Sequence, residues 1–310
     1  MENPLITKLE LKKLKRNSSF FVGWYYKFIS ENNFNYIVIA GFIKKKSSIP
    51  VGFVQVFDSQ NINSTYQETP FNQCVIDLAK QNIKIGDHNF SVKAVTINFE
   101  NNGAEFRINK SLPYVYKGIG KNILGPLHYI PFIECKHSII NIQSNFDGVH
   151  VNGQNKRKIK GVCYQEKDWG KSFPQKYFWI HANKFNNSEV NFQFAYARPK
   201  WLIFKPTAYI GFFIINNERI NLNGLGNSKI TITKLTDRFI SFNLKQKKYL
   251  FKVELETGIT TQLKGPLKGE MKKSIRESLN SKLKILIINR KSPDKSYKYS
   301  SIQASSEIHL

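Results

Sequence analysis

Short runs of aromatic and β-branched residues recur along this chain, separated by turn-forming Asn, Gly and Ser. The first three runs cover residues 19–28, 34–43 and 51–57. In residues 192–197 and 249–256, large apolar side chains alternate mostly with small or polar ones. Such a period of two places apolar and polar side chains on opposite faces of a strand. The pattern therefore predicts an antiparallel all-β fold, built from strands that follow one another at short spacing.

Turn and helix signals interrupt the strand pattern at a few places. Asp147-Gly148 and Asn152-Gly153 are typical of tight hairpins, because both dipeptides supply positive φ angles. We expect a short strand between these two turns. The pattern also predicts a helix over residues 270–279 and a second helix over residues 71–80. The predicted all-β fold thus contains one or two short helices.

The length of the chain predicts two domains. Its 310 residues exceed the usual size of one domain, which is roughly 100 to 200 residues. A hydrophobic fraction of 41% supplies enough apolar surface for a core. No Gly/Ser-rich or Pro-rich linker marks a boundary, and residues 198–206 are the least unfavourable place for one. We therefore predict an N-terminal domain over residues 1–200 and a C-terminal domain over residues 201–310.

The formal net charge of +25 favours an anionic partner such as a nucleic acid, a membrane surface or an acidic ligand. Only eight of the 47 basic residues are arginines, and lysine reads base edges and phosphates less well than the planar guanidinium. The excess of Lys, Asn and Ile also fits the codon usage of an AT-rich genome. Specific nucleic-acid binding is therefore disfavoured. Basic runs at residues 44–46, 156–158 and 245–248 predict solvated turns, and at a barrel rim they would help docking on anionic lipid.

The cysteines and the N-terminus bear on the compartment. Cys74, Cys135 and Cys163 are widely spaced and lack a C-x-x-C pair, which argues against a disulfide framework and a zinc cage. Residues 1–16 lack the apolar core of a signal peptide, and no apolar run of about 18 residues could span a bilayer. We expect a cytoplasmic protein that touches a membrane only from its surface.

The most distinctive segment covers residues 161–185. It resembles the signature Y-x-E-K-N-W-G-x-x-F-P-x-x-W-F-W-x-x-C-N-x-F of the tocopherol cyclases. Asp168 stands where that family commonly has Asn, Tyr177 where it often has Trp, and Ala182 where it has Cys. The positions that carry the resemblance are Tyr164, Glu166, Lys167, Asp168, Trp169, Gly170, Phe173, Pro174, Phe178, Trp179, Asn183 and Phe185.

Shorter motifs extend the resemblance over nearly the whole chain. Residues 23–27, G-W-Y-Y-K, resemble the family's N-terminal G-W-Y-F-K strand, residues 125–127 its G-P-L turn, and Cys135 with His137 its C-x-H strand. The family is similar to the carotenoid hydratase and lipocalin-like group, so the resemblance implies tandem calycin-type barrels. It also implies a cofactor-independent, acid-catalysed cyclisation, or a related hydration or rearrangement, of a prenylated quinol or isoprenoid lipid in a barrel cavity. No phosphate loop, dinucleotide fingerprint or paired-His motif is present in the sequence, and we expect neither a metal nor a cofactor.

Closing a ring on a prenylated quinol requires protonation of an unactivated alkene, shelter for the tertiary cation, and addition of the phenol oxygen. A carboxylic acid in an apolar pocket supplies the proton at neutral pH, and aromatic faces stabilise the cation. If the signature segment is extended, Tyr164, Glu166 and Asp168 share one face, opposite Gln165 and Lys167. We expect the carboxyl face to line the barrel cavity.

The resulting hypothesis assigns roles to named residues. Asp168 or Glu166 is the proton donor, and His137 or His181 polarises it or serves as the base for the phenol. Tyr164 completes the catalytic group. The predicted substrate-binding residues are aromatic except for one amide: Trp24, Tyr26, Trp169, Phe178, Trp179 and Asn183.

Each assignment has a structural alternative. A carboxylate beside Lys167 often forms a rim ion pair of small energetic value. Tryptophans fill barrel interiors, and a strand histidine is as readily a satisfied core or surface residue. A second function also stays open, namely a lipocalin-like carrier that binds an isoprenoid or another hydrophobic ligand without turnover.

Overall fold

The computed structural model describes the chain except for residues 1–3, 61–62, 117–121, 131–132, 187–189, 200–206, 217 and 225–227. The described residues form 21 strands, two short 3-10 helices and one α-helix. The predicted all-β class is therefore confirmed. None of the helices in this part of the chain is long and apolar enough to cross a membrane.

The first sheet contains eleven strands and curls into a nearly closed barrel. Its strands are β1 (Phe20–Ser30), β2 (Asn35–Lys44), β3 (Val51–Asp58), β4 (Thr65–Pro70), β5 (Cys74–Asp77), β6 (Asn82–Ile85), β7 (His88–Phe90), β8 (Ala94–Phe99), β9 (Asn102–Pro113), β10 (Cys135–Asn152) and β11 (Asn155–Gly170). They lie in the order β4-β3-β2-β1-β11-β10-β9-β8-β7-β6-β5, so that β1 pairs with β11. The three runs at residues 19–28, 34–43 and 51–57 are confirmed as β1, β2 and β3.

The second sheet contains ten strands. They are β12 (Tyr177–Ala182), β13 (Asn191–Ala197), β14 (Ala208–Ile215), β15 (Glu218–Asn221), β16 (Lys229–Leu235), β17 (Phe239–Lys245), β18 (Tyr249–Glu256), β19 (Thr260–Leu267), β20 (Glu270–Asn289) and β21 (Ser296–His309). Their order is β15-β14-β13-β12-β21-β20-β18-β17-β16, with β19 paired to β20. The predicted alternation in β13 and β18 is confirmed, because their large apolar residues enter the core of this sheet.

By its internal contacts the chain divides into two compact units. The first comprises Met1–Phe173 with Lys264–Lys273, and the second comprises Pro174–Leu263 with Ser274–Leu310. This division differs from the predicted domains 1–200 and 201–310. The boundary that the sequence suggested falls mainly on residues 200–206, which lie outside the described part of the chain.

Aromatic side chains occupy the interior of the barrel in the first unit. On β1 the residues Val22, Trp24, Tyr26 and Phe28 face inward and meet apolar residues of β6 to β9. The opposite face of β1 is also buried, so β1 has no polar face. Burial on both faces means that the hydrophobic pattern of β1 does not tell the inside of the barrel from its outside.

The α-helix, α1 (Lys8–Lys15), was not predicted from the sequence. It begins with a capping box, in which Thr7 and Glu10 bond to each other's backbone N–H. Leu14 on the helix and Leu5 before it are fully buried in the barrel core. Trp24 donates from Nε1 to the carbonyl of Leu5 at 2.6 Å, so the N-terminal segment is attached to the barrel interior by hydrogen bonding as well as packing.

Both predicted helices are wrong. Residues 270–279 belong to strand β20, and residues 71–80 form only the 3-10 helix Phe71–Gln73 followed by β5. In β20 the apolar residues Met271, Ile275 and Leu279 are spaced by four, which suits one face of a helix and also one face of a strand. Their neighbours Lys273 and Glu277 are buried as well, and this period of two identifies the strand.

One of the two predicted hairpin turns is also wrong. Asp147-Gly148 lies inside the long strand β10, where Gly148 has an extended φ of 159°. A Cβ at Gly148 would lie 1.9 Å from the Glu105 carbonyl oxygen on β9, so this glycine permits close approach of two strands. Asn152-Gly153 is confirmed as the turn between β10 and β11, and Gly153 has a φ of 57°.

Candidate functional site

Strand β11 carries two sets of side chains that point to opposite faces of the first sheet. Tyr164, Glu166 and Asp168 share one face, and Gln165 and Lys167 share the other, as the sequence predicted. Glu10 and Lys167, for example, form an ion pair with 3.1 Å between Oε1 and Nζ, on the side of the barrel core. The carboxyl face is the outer face of the barrel.

His137 reaches the same outer face from the neighbouring strand β10. The register of β10 and β11 places His137 directly opposite Asp168. Nδ1 of His137 lies 2.9 Å from Oδ1 of Asp168, and Nε2 lies 3.7 Å from Oε2 of Glu166. The hydroxyl of Tyr164 donates to Oε2 of Glu166 at 2.6 Å. These four residues, His137, Asp168, Glu166 and Tyr164, are called the His137 cluster below.

The charge of His137 follows from two opposing effects. Burial lowers the pKa of the imidazole, whereas Asp168 and Glu166 raise it, and the net result is a pKa raised from 6.5 to about 9. The ring is therefore an imidazolium at neutral pH. Burial, with Glu166 beside it, raises the pKa of the Tyr164 phenol well above its ordinary value, so this hydroxyl stays neutral and donates a hydrogen bond.

The two carboxyl groups of the cluster differ in access. The side chain of Asp168 is 20% exposed, and that of Glu166 is 7% exposed. Asp168 also lies opposite Gly23 on β1, which has no side chain of its own at that position. Asp168 is therefore the carboxyl group of the cluster that a ligand reaches more easily.

Apolar and cationic groups of the first unit surround the cluster. The ring of Phe53 lies over two glycines of this face, with its Cζ 3.4 Å from a Cβ built at Gly23 and 2.9 Å from one at Gly41. Lys27 is fully buried and lies opposite Tyr164 in the register of β1 and β11. Sequence reasoning missed Lys27 and Phe53. The signal available for both was burial of whole strands on two faces, which marks residues covered on the outer side of the sheet.

The thiol of Cys135 belongs to the same surroundings. Its Sγ lies 3.9 Å from Oδ1 of Asp168. Burial raises the pKa of this thiol well above its ordinary value, and Asp168 raises it further. Since a thiolate is the nucleophilic form of cysteine, Cys135 is a neutral neighbour of the cluster at physiological pH.

The predicted location of the carboxyl group inside the barrel is wrong. Tyr164, Glu166 and Asp168 point away from the barrel core, whereas the predicted binding residues Trp24, Tyr26 and Trp169 belong to it. Of these three, Trp24 and Tyr26 are packed among other aromatic rings of the interior. Alternation assigns side chains to two faces but does not say which face the barrel encloses.

The other predicted site residues belong to the second unit. Phe178 on β12 lies in the core of the second sheet and stacks on Tyr196 with 5.0 Å between ring centroids. Trp179 and His181 alternate onto the opposite face of β12, where their ring centroids are 5.9 Å apart. Asn183, directly after β12, is buried. The roles predicted for these residues stay predictions.

The His137 cluster also has the composition of a metal site. One ligand atom each from His137, Glu166 and Asp168 lies within 4.8 Å of the others. A histidine must be deprotonated at the nitrogen that binds a metal, and the raised pKa of His137 opposes this at neutral pH. A cation and the proton on the imidazole would therefore compete for these residues.

Several solved structures share the fold of this chain. A protein assigned as AttH from Nitrosomonas europaea matches with a TM-score of 0.56 and 8% identity, over 94% of this chain and 93% of that chain. CghA matches with a TM-score of 0.55 and 7% identity, over 95% and 89%. Kievitone hydratase from Nectria haematococca matches with a TM-score of 0.53 and 11% identity, over 99% and 93%. The chain thus has the lipocalin-like fold of the AttH and hydratase structures, as predicted.

The sequence itself identifies the family. The model of the tocopherol cyclase-like family matches residues 117–309, a segment that includes all four residues of the His137 cluster. The protein belongs to the tocopherol cyclase-like family. A comparison with curated protein sequences finds no significant match.

Proposed function

We propose that the protein is a cofactor-independent enzyme of lyase or hydratase type that protonates an alkene of a prenylated quinol or related isoprenoid lipid. Family membership supports this type of enzyme. The observation that carries the proposal is the buried imidazole of His137 held between Asp168 and Glu166. Titratable groups buried together with a strongly shifted pKa cluster at functional sites.

The reaction uses the proton held between His137 and Asp168. The proton on Nδ1 of His137 passes through Asp168, the more exposed carboxyl group, to the less substituted carbon of the alkene; the electron pair of the double bond forms the new C–H bond, and His137 becomes neutral. The tertiary cation then accepts an oxygen lone pair from the phenol or from water. The proton released by that oxygen returns through Asp168 to His137, so that cyclisation or hydration is complete without any other reactant.

Glu166 and Tyr164 support the imidazolium from the other side. Glu166 places negative charge near Nε2, and Tyr164 donates to Glu166, which fixes the carboxylate in place. The two carboxylates thus keep the proton on the imidazole between turnovers. Both residues are therefore positioning residues, which act on the alkene through His137 and Asp168.

Turnover of a methylated prenylhydroquinone tests the proposal. The purified protein should form a cyclised or hydrated product, and Asp168→Asn should lower the rate by at least about 100-fold, which is the usual contribution of a general acid. Asp147→Asn is the matched control, because Asp147 is exposed on β10, the strand that carries His137. Equal rates of the two variants would remove Asp168 from the acid role.

The same assay separates the enzyme from a carrier. A carrier would retain the prenylhydroquinone unchanged. Neither variant would then differ from the wild type in product formation, because no product forms. Burying several ionisable groups costs free energy that an apolar pocket would not, and this favours the enzyme. Retention of ligand without product by the wild-type protein would contradict the proposal and support the carrier.

A further inference from the structure

Two basic segments of the first unit meet at one end of its barrel. The C-terminal end of α1 runs into residues 16–17, and the turn between β2 and β3 lies beside it. The backbone N–H of Ser47 donates to Oδ1 of Asn17 at 2.8 Å, and Nζ of Lys44 donates to the carbonyl of Arg16 at 2.7 Å. These contacts hold the two segments in one surface.

The turn between β19 and β20, which belongs to the first unit, joins the same end. Gly269 packs so closely on the β2–β3 turn that a Cβ there would lie 2.2 Å from the carbonyl oxygen of Lys44. Nζ of Lys45 and Oε2 of Glu270 are 3.4 Å apart. Three chain segments, residues 12–17, 44–50 and 267–272, therefore form one continuous surface, which is called the basic end below.

The charge of the basic end is almost entirely of one sign. Its three segments hold a single carboxylate, Glu270, whose Oε1 lies 2.8 Å from Nζ of Lys272. The basic residues around it far outnumber this one acid. Those that are exposed are Lys12, Lys15, Arg16, Lys45, Lys46, Lys268 and Lys272.

An exposed aliphatic side chain stands among these cations. Ile49, in the turn between β2 and β3, is 80% exposed, and Leu267 is 41% exposed. The phosphates of a nucleic acid would bind the lysines but would make no favourable contact with an exposed isoleucine among them. An anionic bilayer would bind both kinds of side chain, because its headgroups attract lysine and its acyl region accepts apolar side chains.

The basic end lies near the His137 cluster along the same strands. Asp168 is opposite Gly23 on β1, and Lys44 is opposite the residue three positions earlier. Three residues of a strand span about 10 Å. Phe21 and Ile43 lie between, and their register places them on the face that carries Asp168. Apolar side chains thus connect the basic end with the cluster.

We propose that the basic end docks the protein on the surface of an anionic lipid bilayer. Ile49 inserts between headgroups, and the lysines around it bind lipid phosphates. The docking stands independently of the proposed function. Only its use, the transfer of a lipid substrate from the bilayer to the His137 cluster, rests on that function.

Sedimentation of the full-length protein with lipid vesicles tests the docking. The probes are phosphatidylcholine vesicles with and without phosphatidylglycerol, at several salt concentrations. Lys45→Ser with Lys46→Ser should weaken binding to the anionic vesicles roughly 30-fold, since each lysine near such a surface contributes about fivefold. Ile49→Ser should weaken it further and should matter at high salt as well, because salt screens the lysines but not the apolar contact.

Matched controls keep the same changes but move them elsewhere. Lys156→Ser with Lys158→Ser removes the same charge beside the β10–β11 turn, at the opposite end of these strands, and Ile302→Ser removes an exposed isoleucine of the second unit. Both controls should bind the vesicles nearly as the wild type does. Equal losses in the two lysine pairs would overturn the proposal, because net charge alone would then explain binding.

Two further outcomes decide the matter. No preference of the wild type for anionic vesicles at low salt would overturn the docking, and so would an Ile49→Ser variant that binds normally while duplex DNA competes with the vesicles.

With detergent-dispersed prenylhydroquinone, the docking variants should turn over at the wild-type rate, and with vesicle-embedded substrate they should be slower. Absence of turnover in every variant and in the wild type would count against the proposed function and leave the vesicle result to stand by itself.

Discussion

His137 on β10 and Asp168 on β11 face each other across an antiparallel strand pair, with 2.9 Å between Nδ1 and Oδ1. Glu166, two residues earlier on β11, approaches the other nitrogen of the same ring. Burial alone would lower the pKa of His137, and the two carboxylates reverse that effect. The positive charge on His137 therefore depends on the register between these strands, which places the two carboxylates beside the ring. The chemistry proposed for the protein depends on that charge.

Stability should depend on pH through His137. Its pKa is raised from 6.5 to about 9 on folding, so its contribution is fully present below pH 6.5 and is lost as pH rises through about 9. A shift of this size corresponds to roughly 3 kcal/mol of unfolding free energy. Urea unfolding at pH 6 and at pH 9.5 should show part of this loss in the wild type. In His137→Gln the same pH change should cost less, and an equal pH dependence in both proteins would contradict the assignment.

The titration of His137 can be followed directly by NMR of the imidazole protons. We expect an apparent pKa near 9 in the wild type. Asp168→Asn should lower it, because the largest of the effects that raise the pKa is removed. Asp147→Asn, on the exposed part of β10, should leave it in place. A wild-type pKa at or below 6.5 would show that burial prevails over the two carboxylates.

The buried ion pair between Glu10 and Lys167 should be costly to break. Its two side chains are 6% and 5% exposed, and removing one partner leaves an uncompensated charge in the barrel. Glu10→Gln should therefore lower the free energy of unfolding by about 3 kcal/mol. The double variant Glu10→Leu with Lys167→Met should lose less than Glu10→Gln alone. Stability of Glu10→Gln equal to that of the wild type would mean that α1 does not hold Lys167.

Gly148 and Gly153 should respond differently to alanine. A Cβ at Gly148 would lie 1.9 Å from the Glu105 carbonyl oxygen, so the strands must separate, whereas nothing lies within 4 Å of a Cβ at Gly153. Gly153→Ala should cost only about 1 kcal/mol, because of its positive φ. Gly148→Ala should cost considerably more in urea unfolding. A reversed order would show that the turn, and not the strand, includes Gly148.

Strand positions and side-chain faces were accessible from the sequence where the local pattern decides them. The first three apolar runs predicted β1, β2 and β3, and a period of two predicted that Tyr164, Glu166 and Asp168 share a face. His137 was a candidate through a family motif. Its placement opposite Asp168 depends on the register of two long strands, which no local pattern contains.

Other features could not be read locally because two structures fit the same pattern. Met271 and Ile275 are four residues apart, which suits a helix and a strand equally. The run over β1 is buried on both faces, so it could not reveal that Trp24 points into the barrel. For the same reason it could not show that Asp168, on the neighbouring strand β11, points out of the barrel. The pairing of Glu10 with Lys167 joins residues far apart in sequence, and only the folded barrel brings them together.

In the proposed reaction, a proton from the pair of His137 and Asp168 reaches an alkene carbon. Turnover of the methylated prenylhydroquinone in deuterated water follows this proton, with the position of deuterium in the product read by mass spectrometry and NMR. We expect one non-exchangeable deuteron on the carbon next to the newly formed C–O bond, and loss of this product in Asp168→Asn and His137→Gln. A product without deuterium on that carbon, or one formed at the wild-type rate by both variants, would contradict the claim.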